Sequence, residues 1–292
     1  MDHVEFAWKQ QKRWSHAAGT LKKSISRARW TTLALSVVGA VLATASAQLF
    51  AVDGPTGRGL AVAAAVALAV IPFTQRGMSV TKTRDWTRAR SVSEAIKADV
   101  HLFLARATPF RGAERDTVLL SRLDTLADDA GDLARYLPDP PERRALPAVH
   151  DVESYAEVRV REQAERYYRP KAHKIGRAQR ILSAAETSLA VIAATLVAVA
   201  AIVPSPKAIV WIGVLTTVAG ALAAHSGAAR YDYQFVEFTR TADKLERLLA
   251  QRSVDAVDDD TFVVECERVI SIQNEGWMAK MALDEADPAP AN

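Results

Sequence analysis

Four long stretches without a charged side chain constrain this sequence more than any other feature. Trp30 to Val52 is the first, and after the turn Asp53 to Arg58 the second runs from Gly59 to Gln75. About a hundred polar residues later, Thr187 to Pro206 is charge-free, Lys207 interrupts, and Ala208 to Ala229 is charge-free again. A bilayer core about 30 Å thick needs roughly 17–25 apolar residues per helix, so each stretch is long enough to span. The reading is an all-α integral membrane protein with four transmembrane helices in two tight hairpins.

Composition conceals this. Mean hydropathy is −0.01, an average over Ala/Val/Leu-rich spans and densely charged remainders. The net charge is +3, and its excess is local. Lys9, Lys12, Arg13, Lys22, Lys23, Arg27 and Arg29 precede the first span, while Arg76, Lys82, Arg84, Arg88 and Arg90 follow the second. Lys171, Lys174, Arg177 and Arg180 precede the third, and Arg230 follows the fourth. The hairpin turns hold only Arg58 and Lys207. Basic residues near span ends favour the cytoplasm, so both termini and the central segment are expected inside. These collars also attract anionic headgroups, at about 1 kcal/mol per residue near the surface. Nucleic-acid binding is not expected, because no recognition motif accompanies the charges. A cleaved signal peptide is disfavoured too: the leading polar segment is long, and a second span follows at once. High Arg and Ala usage suits a high-GC bacterium, which places the protein in an inner membrane.

The halves repeat. An offset of about 154 residues sets Trp14 on Tyr168, Leu21 on Ile175 and Arg76 on Arg230. The first module covers 1–137, with spans at about 30–52 and 59–75 and cytoplasmic helices at 78–106 and 114–137. A Pro-rich linker follows at 138–150. The second module covers 151–285, with spans at about 183–204 and 208–229 and helices at 230–252 and 260–285; residues 286–292 form a disordered tail. Both copies enter the membrane from one side, a parallel repeat.

Small residues recur at i, i+4 spacing, as in Gly39/Ala43/Ala47, Ala61/Ala65/Ala69, Ala190/Ala194/Ala198 and Gly213/Thr217/Ala221. Such faces let helix backbones approach closely in lipid. Gly213 and Gly220, seven apart, share one face. The polar segments carry apolar stripes: Val92, Ile96, Val100 and Phe103; Leu119, Leu123, Leu126, Ala130, Leu133 and Leu137; Tyr231, Phe235, Phe238, Ala242, Leu245 and Leu249; then Phe262, Cys266, Val269, Trp277 and Met281. They predict a helical bundle or oligomer contacts.

No catalytic constellation is present. The six histidines never pair at metal spacing, and His150-Asp151-Val-Glu153 reads as a helix cap. There is no glycine-rich phosphate loop, nucleophile elbow or CxxC. No enzyme, cofactor or metal is therefore expected, and Cys266 reads as a buried, inert thiol. Ionisable side chains at membrane depth are the default functional candidates. Glu186 and His225 fall at similar depth near the inner interface, where they line an inner mouth, pair with each other, or bond to Arg180 or Arg230. Gln48, Thr44, Thr216 and Thr217 are further pore-face candidates.

Arg84-Asp-Trp86-Thr-Arg88-Ala-Arg90, Ser93-Glu94-Ala-Ile96-Lys97 and His101 to Arg106 resemble the post-membrane helix of SLATT-type proteins. Phe262 to Glu267 and Glu275-Gly-Trp277 resemble the closing segment of a second such module. These are bacterial two-transmembrane proteins associated with nucleotide-signalling conflict systems. The resemblance implies a pore-forming membrane effector, triggered by a nucleotide-derived signal or a separate sensor partner; four helices enclose little space, so a pore is expected to be a homo-oligomer. The rival reading is a membrane-anchored interaction scaffold without conductance, and a transporter is the weaker third.

Overall fold

The computed structural model describes residues 2–50, 52–138, 145–203, 206–254 and 258–271. The element order is α1 (His3–Leu49), α2 (Gly54–Gln75), α3 (Val80–Leu104), α4 (Arg115–Asp129), α5 (Val152–Tyr155), α6 (Arg169–Ile202), α7 (Pro206–Ala229) and α8 (Tyr231–Val254). A last helix, α9, covers 259–271. Between α5 and α6 the chain makes two stretches of wide, π-type turns, Ala156–Arg161 and Ala164–Tyr168. Among the described residues there is no strand, and four helices are long and apolar enough to cross a membrane. Residues 139–144 of the expected linker, the C-terminal part of the expected helix 260–285, including Trp277 and Met281, and the expected tail 286–292 lie outside the described residues.

The chain divides into two compact units. The polar unit combines Met1–Lys23, Val80–His173 and Gln234–Asn292. The apolar unit combines Ser24–Ser79 and Lys174–Tyr233. Each unit thus draws on both sequence repeats.

The polar unit has a core of its own, built from the predicted stripes. Val92, Ile96, Val100 and Phe103 of α3 are buried, with Leu119 and Leu123 of α4 and Leu133. From α8 come Phe238, Ala242 and Leu245, and from α9 Phe262, Val263, Cys266 and Ile270. Phe235 departs from its expected stripe and is exposed. Rings lock the elements together: Tyr155 meets Phe262 edge-on at 6.3 Å, and Tyr168 meets Phe238 at 5.9 Å. Asp151 caps α5, accepting from the Ser154 backbone N–H at 2.8 Å, as the acidic cluster there predicts. Asp258 likewise accepts from the Thr261 N–H at the start of α9. Cys266 is fully buried, and burial with the adjacent Glu267 and Glu265 pushes its thiol up, which keeps it unreactive.

In the apolar unit the first hairpin closes tightly. Asp53 caps α2 through the Thr56 N–H, and Pro55 occupies its first turn, where a missing N–H does no harm. The Ser46 hydroxyl donates to the Gly57 carbonyl at 2.7 Å. Gly39 lies so near α2 that an added Cβ would stand 2.6 Å from Leu68 Cδ2. Thr32 and Thr74 share a hydroxyl–hydroxyl bond of 2.7 Å. Hydrogen bonds of this kind and small-residue contacts hold helices together where lipid supplies no hydrophobic drive.

Candidate functional site

Two groupings carry polar side chains in places where such groups need a reason. The first is in the apolar unit. Glu186 of α6 accepts a hydrogen bond from the Ser226 hydroxyl of α7 at 2.9 Å. His225, next to Ser226, turns instead to Trp30 of α1, with ring centroids 4.4 Å apart, and faces Tyr231 at 6.3 Å. Its Nε2 is buried with no hydrogen-bond partner among the described residues. Glu186 and His225 thus approach the same place on α7 but bond to different neighbours.

The other expected pore-face residues are mixed. Thr217 donates to the Gly213 carbonyl at 2.7 Å, and Thr216 to the Ile212 and Gly213 carbonyls. Both hydroxyls are therefore satisfied within α7. Gln48 is half-buried and engaged, and Thr44 is buried. The small-residue faces behave unequally. Gly39 is buried, whereas Ala43 and Ala47 on the same stripe are exposed. Each i, i+4 step turns about 40° around a 3.6-residue helix, so a three-member stripe rotates off its contact. Gly213 and Gly220 are exposed, and a Cβ built on either meets nothing within 4 Å.

The second grouping is in the polar unit and was not singled out from the sequence. Arg159 is 1% exposed and Glu267 5%, and they form a two-bond ion pair, Nε to Oε1 and Nη2 to Oε2, both at 2.8 Å. The Tyr155 hydroxyl donates to Glu267 Oε1 at 3.1 Å, and Arg159 Nη1 donates to Gln163 at 2.7 Å. Burial alone would loosen the Arg159 proton, but Glu267 outweighs it and holds the guanidinium charged. Asp85 accepts from Arg135 at 3.0 Å and from the Tyr136 hydroxyl at 2.8 Å. Buried Asp99 accepts both of its bonds from Arg122 Nε; burial pushes its carboxyl up, against the pull of Arg122. His101 is buried with Nδ1 on the Lys97 carbonyl at 2.7 Å, and burial holds it well below its ordinary range, so the ring is neutral. The sequence did hold a signal. Glu267 sits among Val263, Cys266 and Ile270 on an apolar helix, and Asp99 sits between Ile96 and Phe103 on another; a charge on a core face demands a partner.

The signature residues of α3 fall around these groups. Trp86 is 5% exposed, with the Lys22 ammonium 5.8 Å from its ring. Arg88 binds both oxygens of Asp132, at 2.7 and 2.8 Å, and the Asp129 carbonyl at 2.7 Å. Glu94 stands 3.7 Å from Arg90.

Comparison with known families agrees with this arrangement. Residues 155–277 match the family model described as "SMODS and SLOG-associating 2TM effector domain 1", SLATT_1. Residues 12–117 match a second model, a protein family of unknown function, DUF4231. No curated protein and no solved structure matches. Four apolar helices and a two-transmembrane effector domain make this a multi-pass membrane protein. With the effector-domain match on its second half and a further match on its first, the chain is consistent with a tandem SLATT-type family of two-transmembrane proteins.

Proposed function

We propose that this protein is a membrane effector of a bacterial conflict or stress system, and that several copies assemble into a pore or channel in the inner membrane. Both termini lie in the cytoplasm in this reading, and the basic collars rest on anionic headgroups. The observation that carries it is the unequal use of small-residue faces. Gly39 is packed on Leu68 within its own hairpin, but Gly213 and Gly220 of α7 face open space. Small-residue faces in membranes serve close helix contact, and a second copy would supply it here. Four helices enclose little space among themselves, so a conducting path needs several subunits. Glu186, with His225 beside its bonding partner, would place a carboxylate near the inner mouth. No enzymatic step is involved; the trigger is a separate sensor or nucleotide-signalling protein.

Induced expression is expected to depolarise host cells, read with a potential-sensitive dye, and Glu186→Ala is expected to change single-channel conductance. Unchanged potential and growth under every trigger tested would refute the pore. A scaffold reading rests on the polar unit having its own core. Replacing both hairpins with unrelated ones of equal length separates the two: a scaffold keeps its function and a pore loses it.

A further inference from the structure

The polar unit contains a cavity of about 320 Å³, with Arg90, Glu94 and Lys97 of α3 on one side and Glu162, Arg166 and Tyr168 on the other. The second side is formed around the wide π-type turns, Ala156–Arg161 and Ala164–Tyr168. Turns of this kind are rare and are frequently found at functional sites.

The cavity wall carries three cations, Arg90, Lys97 and Arg166, and two carboxylates, Glu94 and Glu162. Arg166 binds Glu162 at 2.7 Å, and Arg90 faces Glu94 at 3.7 Å. Behind the wall, Arg159 is neutralised by Glu267. Lys97 shares the field of Glu94 with Arg90 but stands farther from any described carboxylate than an ion pair. Among the described residues its ammonium makes no hydrogen bond and no ion pair within 4 Å. Burial, then the nearby Arg159, pulls it down to about 8. Burial also pushes the Tyr168 phenol up, so its hydroxyl stays a donor. For Glu94, burial would raise the carboxyl, but Lys97, Arg90 and Arg159 together hold it below the usual range, and it stays an acceptor.

We propose that this cavity binds a small molecule bearing one phosphate monoester, whose oxygens bond the Lys97 ammonium, the Arg90 guanidinium and the Tyr168 hydroxyl. Donors on two sides suit a group with several acceptor oxygens better than a carboxylate with two. Glu94 and Glu162 disfavour a polyphosphate and offer acceptors to hydroxyls on the rest of the ligand. The groups facing Lys97 are Arg90 and Glu94 on α3, Arg159, Glu162, Arg166 and Tyr168 around the wide turns, Glu267 on α9 and Lys12 on α1. An anion bound there raises the Lys97 pKa, so binding takes up a proton near pH 8 and weakens as pH rises through that value.

The test is calorimetric titration of the full chain, in phosphatidylcholine nanodiscs, with inorganic phosphate and with glycerol 3-phosphate. Saturable binding is expected at pH 7, weakened about tenfold or more by Lys97→Met, the size of one lost bond to a charged group. Lys97→Arg should retain it, and should lose the fall in affinity between pH 7 and pH 9. Lys97→Met removes a desolvated cation, so its melting temperature should match or exceed that of the natural chain. A second arm uses discs with about one fifth phosphatidic acid. Stabilisation by that lipid alone, abolished by Lys97→Met, identifies a headgroup as the source of the same chemistry. No saturable binding in either arm, or binding indifferent to Lys97→Met, overturns the proposal. The assay carries no current, so its failure and that of the pore reading are distinguishable.

Discussion

Glu267→Ala is expected to destabilise the polar unit by about 3–5 kcal/mol, the range for removing one partner of a buried ion pair. The arginine left behind is the reason. Arg159 is 1% exposed, and a guanidinium does not give up its proton in a protein. Without Glu267 it keeps a full charge in the core, with Gln163 as its one remaining side-chain hydrogen-bond acceptor among the described residues. The Tyr155 hydroxyl loses its carboxylate partner at the same time. Replacing both members, Arg159→Met with Glu267→Leu, should recover most of the loss, because apolar side chains of similar volume remove the charges together. The double-mutant cycle then returns a coupling of several kcal/mol. Trp8, Trp14 and Trp86 are buried in this unit, so urea unfolding followed by tryptophan fluorescence reports on it. An unchanged midpoint for Glu267→Ala would mean that water reaches the pair.

The same pair shows what the sequence could and could not disclose. Four helices of spanning length were legible because a run such as Trp30 to Val52 has only one stable use for its apolar surface. The stripes of α3 and α9 were legible because 3.6-residue periodicity is local. Val92, Ile96, Val100 and Phe103 are buried together as that periodicity requires. The Arg159–Glu267 bond joins side chains 108 residues apart, and no local period announces it. Partition into units was hidden for a related reason. The repeat offset suggests two side-by-side modules, yet both units take segments from each repeat, since core formation follows burial rather than duplication. Among the candidate site residues, small-residue spacing could mark Gly39 and Gly213 as equivalent, but it could not tell that Leu68 covers one and that no described residue covers the other. Membrane-depth polar residues were the reverse case. Depth alone singled out Glu186 and His225, while the bond of Glu186 with Ser226 and the ring contact of His225 with Trp30 depend on side-chain direction.

Gly57→Ala is expected to destabilise the first hairpin by about 1–3 kcal/mol, the usual range for overpacking, and Gly57→Val by more. A Cβ at Gly57 would lie 2.8 Å from Phe50 Cα and 2.9 Å from Phe50 N. Both are backbone atoms and cannot swing aside as the Leu68 side chain can beside Gly39. Moving α2 away would stretch the buried bond from Ser46 to the Gly57 carbonyl. Gly59, two residues along the same helix, is the control. Its added Cβ meets nothing within 4 Å, so Gly59→Ala should stabilise by about 0.5–1 kcal/mol through helix propensity alone. Thermal unfolding in detergent distinguishes the two, and equal behaviour would show that the hairpin is not pinched at Phe50. Gly213→Leu extends the comparison to function. Gly57 touches its own hairpin, so its replacement lowers stability at every protein concentration. Among the described residues an added Cβ at Gly213 meets nothing within 4 Å, so Gly213→Leu should leave the isolated chain intact and weaken only an assembly that uses that face. A pore made of several copies predicts loss of current from Gly213→Leu without loss of fold, and an anchor whose spans serve one chain predicts no effect.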